Sequence, residues 1–144
     1  MTVSWAPTLS DVGNCIPTRT LNVNLPGDET YLNTFTTDTR PTAVQAQSVI
    51  DKACNDVVLA VVSVTTALEP IAANAAKWRA AADIELAYPG RNADVNVYTQ
   101  LDARARYEWE LLLKAAENQN ESVDSSVPAW YMPLPDPLGD RRDI

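Results

Sequence analysis

Two pairs of carboxylates stand two residues apart in this chain, Asp83 with Glu85 and Glu108 with Glu110, and close acids are the first pattern to weigh as acid–base or metal chemistry. Both pairs fall in stretches of helical periodicity, where side chains two apart point in different directions, so they fit solvated faces better than one site. The sequence has no histidine, which removes the usual general base, the Ser-His and Cys-His nucleophile pairs and the commonest zinc ligand. Its four glycines, Gly13, Gly27, Gly90 and Gly139, are isolated and form no phosphate-cradling loop. Cys15 and Cys54 are too few for a disulfide scaffold, and Cys54 falls on an apolar helical face where a small buried hydrophobe belongs. The expected protein is not an enzyme and holds no metal or cofactor.

The elements that carry these residues come from a 144-residue chain of 15.7 kDa, enough for one domain with a real core. Hydrophobic residues make up 46% and charged residues 21%, a globular composition. A net charge of -8 opposes binding that neutralises phosphates, because the eleven Lys and Arg are scattered apart from Arg141 and Arg142. The start, "MTVSWAPTLSDVG", shows neither a basic nor an apolar leader region, and no run of eighteen apolar residues suggests a membrane span.

Along the chain, "LSDVGNCI" (9–16) predicts a short helix with Ser10 as N-cap, halted by Pro17. From 19 to 36, Leu21, Val23 and Leu25 alternate with polar neighbours before a Pro26-Gly27-Asp28 turn, the pattern of a small β-hairpin. Thr42 followed by Gln45 forms a capping box, and Pro41 keeps Arg40 extended, so a helix is expected to start there with Arg40 outside it, free to pair with an acid on a neighbouring element or subunit. Apolar spacing through Ile50, Cys54, Val57, Val61, Val64 and Leu68 carries this helix to about residue 68. Pro70 opens a second, alanine-rich helix running to Pro89-Gly90, with Ile71, Trp78, Ala82 and Leu86 as its bulk; it should be central. A third runs from about Asp94 to Asn118, with Asp102–Arg106 and Glu110–Lys114 as exposed pairs four apart. Its Trp109 is expected near Trp78 across an antiparallel contact.

The expected fold class is therefore all-α: three main helices, a short N-terminal helix and the hairpin in residues 1–120, then an extended arm over 121–144. That arm carries four of the ten prolines together with Trp130, Tyr131, Met132, Leu134 and Leu138. Aromatic and aliphatic groups on a stiffened strand suit docking on another chain, and these five residues are the candidate partner-binding set.

The segments "WAPTLSDVGNCIPTRT", "FTTDTRPTAVQAQSVID", "AAKWRAAADIELAYPG" and "YTQLDARARYEWELLLKAAE" together resemble the head-to-tail adaptor (head-tail connector) proteins of long-tailed bacteriophages, especially those of actinobacterial hosts. The similarity extends from Trp5 to about Glu117 and lies in the order of elements and the Thr-Arg-Pro-Thr helix start. It implies a structural virion protein of the neck, assembled in the bacterial cytoplasm. Copies would form a ring, commonly twelvefold, that binds the portal above and a stopper or tail-side neck protein below while DNA passes without specific binding. Arg40 and Thr42, at the helix-start joint, become candidate subunit-interface residues. The competing readings are a small terminase-like DNA-packaging ring protein and a generic helical partner-binding protein. The first needs a basic recognition helix, and the best basic pair here, Arg104 and Arg106, is interleaved with Asp102, Glu108 and Glu110.

Overall fold

The computed structural model describes residues 3–88 and 95–124, and among them the chain is all helix and loop. The elements are α1 (Leu9–Cys15), a 3-10 turn (Pro17–Arg19), α2 (Ala43–Val61), α3 (Glu69–Ala87) and α4 (Val95–Asp124). The all-α expectation and its helix order hold. Helix α4 runs on to Asp124, past the expected end near Asn118, so residues 121–124, expected to begin the arm, are helical; the Pro89-Gly90 stop and residues 125–144, with Trp130, Tyr131, Met132, Leu134 and Leu138, lie outside the described residues.

The cap of α1 is Thr8 and not Ser10. The Thr8 hydroxyl accepts from the Asp11 amide at 3.1 Å and the Asp11 carboxylate accepts from the Thr8 amide at 2.9 Å. Ser10 has Gly13 three residues on, which has no side chain to reciprocate. Gly13 is needed for another reason: a Cβ there would stand 2.9 Å from the Asn33 carbonyl oxygen and 3.1 Å from the Thr34 Cα. The loop after the 3-10 turn lies against the bare backbone of α1.

That loop replaces the expected hairpin, and no strand occurs among the described residues. The Leu25–Asp28 turn does form, with Gly27 at φ 89° and the Asp28 amide on the Leu25 carbonyl at 3.1 Å. The flanking segments never pair in an antiparallel register. Thr20 lies opposite Leu32, so Val23 should face residue 29, yet its amide donates to Asp38. Val23 and Leu25 remain 57% and 53% exposed, so their alternation marks no buried face. Hydroxyls organise the loop instead. The fully buried Thr20 side chain donates to the Pro17 carbonyl at 2.6 Å and accepts from the Asn33 amide at 3.1 Å.

Centrality of α3 follows from its alanines. Ala72, Ala75, Ala76, Ala80, Ala81 and Ala82 are all buried, and α1, α2 and α4 each pack on this helix while α2 and α4 barely touch one another. Small side chains on several sides allow three backbones to approach. Bulk comes from Ile84 on α3, Ile50 and Val57 on α2, Val12 on α1 and Leu112 on α4, all fully buried and each stabilising by about 1.5–3 kcal/mol. Leu86, expected in this set, is exposed; Ile84 takes its place. The contacts Thr65–Gln119, Arg79–Asp102 and Trp78–Arg104 descend α4 as they climb towards α3, so those two helices are antiparallel.

Helix α2 stops at Val61, seven residues before its apolar spacing ends. Val62 has φ 64° and ψ -48°, and the Ser63 amide closes a three-residue turn on the Val61 carbonyl at 2.6 Å. The reversal lets Val64 and Leu68 reach the core from a separate turn, so the periodicity of a buried face outlasts the helix.

Candidate functional site

Three places on this framework are open to a partner: the joint before α2, the outer sides of α2 and α4, and a groove between helices. At the joint the chain bends over residues 37–41. Thr39 and Pro41 are buried while Arg40 between them is exposed, and the Arg40–Pro41 peptide is cis. Thr39 anchors the bend: its hydroxyl accepts from the Thr36 amide at 2.9 Å and lies 2.7 Å from the Pro41 carbonyl and 3.0 Å from that of Thr36, to which it can donate. The Ala43 amide then returns to the Thr36 carbonyl, and the capping box closes with Gln45 Oε1 3.0 Å from the Thr42 amide. Thr42 is thus occupied as a cap. Arg40 stands outside the helix as expected, with no ion-pair partner among the described residues.

The 3-10 turn makes a contact with α3 that spacing in the sequence could not announce. Arg19 Nε and Nη2 donate to Glu85 Oε2 and Oε1 at 2.7 and 2.6 Å, with side chains 13% and 5% exposed. The paired geometry compensates for burying the carboxylate, and it ties the start of the loop to α3 across 66 residues. Those hydrogen bonds hold the guanidinium still more firmly protonated, against the opposite pull of burial. Glu85 is therefore structural, and its neighbour in the suspected acid pair, Asp83, faces elsewhere, towards Arg79. Burial raises the Asp83 carboxyl above its usual range, with Asp56 and Asp102 adding to the rise and Arg79 and Lys52 opposing it.

The groove is a cleft of about 390 Å³ lined by Asp56 of α2, Arg79 of α3 and Ala105, Arg106, Trp109 and Glu110 of α4. Ala105 and half-buried Trp109 form an apolar floor, and the charged groups stand around it. Arg106 meets Asp102 at 2.9 Å, whereas Arg79 holds Asp83 and Asp102 at 3.6 and 3.9 Å, too far for hydrogen bonds. The expected Glu110–Lys114 pair does not form, and Glu110 has no ion-pair partner among the described residues. Trp109 and Trp78 do not share a ring contact. Arg104 lies 5.1 Å over the Trp78 ring on the opposite flank of α4, so successive residues Trp78 and Arg79 send the two environments to different sides.

The outer sides of the helices are apolar at intervals. Val44, Leu59 and Val62 around α2 are at least 80% exposed, and Tyr107, Leu111 and Leu113 are exposed on α4. Among the described residues no group of three His, Cys, Asp or Glu is placed to hold a metal ion, and no helix is long and apolar enough to cross a membrane. Compared with protein-family models, curated proteins and solved structures, the chain matches none. Function therefore rests on the chain's own residues and on the resemblance of its segments.

Proposed function

We propose that this chain is a structural subunit of a bacteriophage neck. Copies form a ring beneath the portal, commonly twelvefold in the family it resembles, which joins head to tail and extends the DNA channel towards a stopper or tail-side protein. The observation that carries this reading is the set of exposed apolar residues, Val44, Leu59, Val62, Tyr107, Leu111 and Leu113, on helices whose core is complete without them. Large apolar side chains held in solvent at intervals along two helices offer separate points for protein contact. Exposed Arg40, with no ion-pair partner among the described residues, adds a cation for an acid on the next subunit.

The arm that follows Asp124 serves as the attachment to the portal or to an adjacent subunit, through Trp130, Tyr131, Met132, Leu134 and Leu138. No catalytic step is assigned. A small terminase-like role would require a basic face, yet Arg104 and Arg106 stand among Asp102, Glu108 and Glu110, and each is bridged to one of these acids at 2.9 Å. Electron microscopy of the purified chain, alone and mixed with portal-bearing capsids lacking a neck, tests the proposal. Rings, and density added below the portal, are the expected result. A chain that stays monomeric, ignores capsids and retains duplex DNA at physiological salt would replace this reading with the packaging one.

A further inference from the structure

The groove on α2, α3 and α4 and the proline-rich end of the same sequence have matching chemistry. An indole face beside a small residue is the kind of surface on which extended Pro-rich segments seat, and "PAWYMPLPDPL" (128–138) supplies prolines with aromatics and leucines between them. A volume of about 390 Å³ accommodates an aromatic side chain with an adjoining proline. The rim is complementary as well. Arg79 holds its acids only at 3.6 and 3.9 Å and Arg106, 75% exposed, commits only Nε to Asp102, leaving N–H donors for an acid such as Asp136, while Glu110, with no ion-pair partner among the described residues, is left for a cation.

Chain length decides whose segment this is. From Asp124 back to Trp109 along α4 is about 22 Å at 1.5 Å per residue. A reversal uses about four residues, and an extended proline-rich strand covers about 3.1 Å per residue. Folding back on its own domain, the arm would bring about residue 136 over Trp109 and leave Trp130 and Tyr131 stranded short of the groove. From a neighbouring subunit no such retracing is imposed.

We propose that the groove receives the Trp130–Pro137 stretch of a second copy of this chain, latching each subunit to the next. The inference rests on the ring reading and adds to it a defined receptor. Two single variants, Glu110→Cys at the groove rim and Leu134→Cys in the arm, are mixed under mild oxidation. The expected product is a disulfide-linked pair of the two variants, above the background that Cys15 and Cys54 give in the wild type. Adding Trp109→Ala, or the exposed change Arg106→Glu, to the groove-bearing chain should lower the yield about tenfold or more. Rings without linked pairs overturn the latch and leave the ring reading standing; linked pairs without rings support the latch and count against the ring. A chain carrying both cysteines that closes on itself at high dilution overturns the choice of a neighbour as occupant.

Discussion

The two ends of α2 are built on opposite principles. Its start is assembled from local rules that agree: Pro41 sets the approach, Thr39 ties the bend, and Thr42 with Gln45 satisfies the first free amides. Its end breaks a local rule, because a β-branched residue occupies a positive-φ turn that favours glycine, with its side chain in solvent. A joint of the first kind is rigid because many weak preferences coincide. The second persists because Val64, Leu68 and α3 are held elsewhere, so the turn is imposed by the packing that follows it.

The largest effect is expected at the buried Arg19–Glu85 pair. Glu85→Ala leaves Arg19 buried without its partner and should lower stability by about 3–5 kcal/mol in urea unfolding, a loss no change at the Val62 turn should approach. A smaller effect probes the helix between the joints. Burial, assisted by Asp51, pushes the Cys54 thiol from 9.0 up to about 11. Its folded value is the higher one, so the native state keeps a proton that the unfolded chain gives up. Cys54 should contribute a fall of about 2–3 kcal/mol as pH rises from about 9 to about 11; Cys54→Ala should remove that share and leave the part due to Cys15, whose thiol burial also raises.

The remaining two changes compare the ends directly. Thr42→Ala should cost about 1 kcal/mol in thermal melts, and an unchanged midpoint would show that the cap is redundant with the Thr39 bend. Val62→Gly should do the reverse. Relief of about 1–2 kcal/mol of positive-φ strain against about 0.5–1 kcal/mol of glycine entropy leaves a net gain of about 0.5 kcal/mol. A loss there would mean that the turn is not strained.

This asymmetry also explains what the sequence disclosed. The start of α2 was legible because Thr42, Gln45 and Pro41 act within four residues of one another. Its end was not, since Val64 and Leu68 keep helical spacing while packing from a different element. The hairpin failed likewise: Leu21, Val23 and Leu25 alternate, but alternation has meaning only with a paired strand, and the neighbours of this loop are threonine hydroxyls and the backbone of Gly13. Arg40 could be placed outside the helix because Pro41 disfavours helical torsions for the residue before it. Neither the Arg19–Glu85 pair nor the groove around Trp109 leaves a trace in spacing, because each joins residues brought together only by helix packing.

The Arg19–Glu85 link has a kinetic meaning as well. Helices α2, α3 and α4 each pack chiefly on a neighbour in the chain, so their contacts close short loops and form early. The ion pair instead closes a loop of 66 residues, a cost met only once α3 is already in place. It belongs to the native side of the folding barrier, acting as a clasp that slows unfolding without hastening collapse. A subunit so fastened holds its shape through its lifetime more than through the speed of its making.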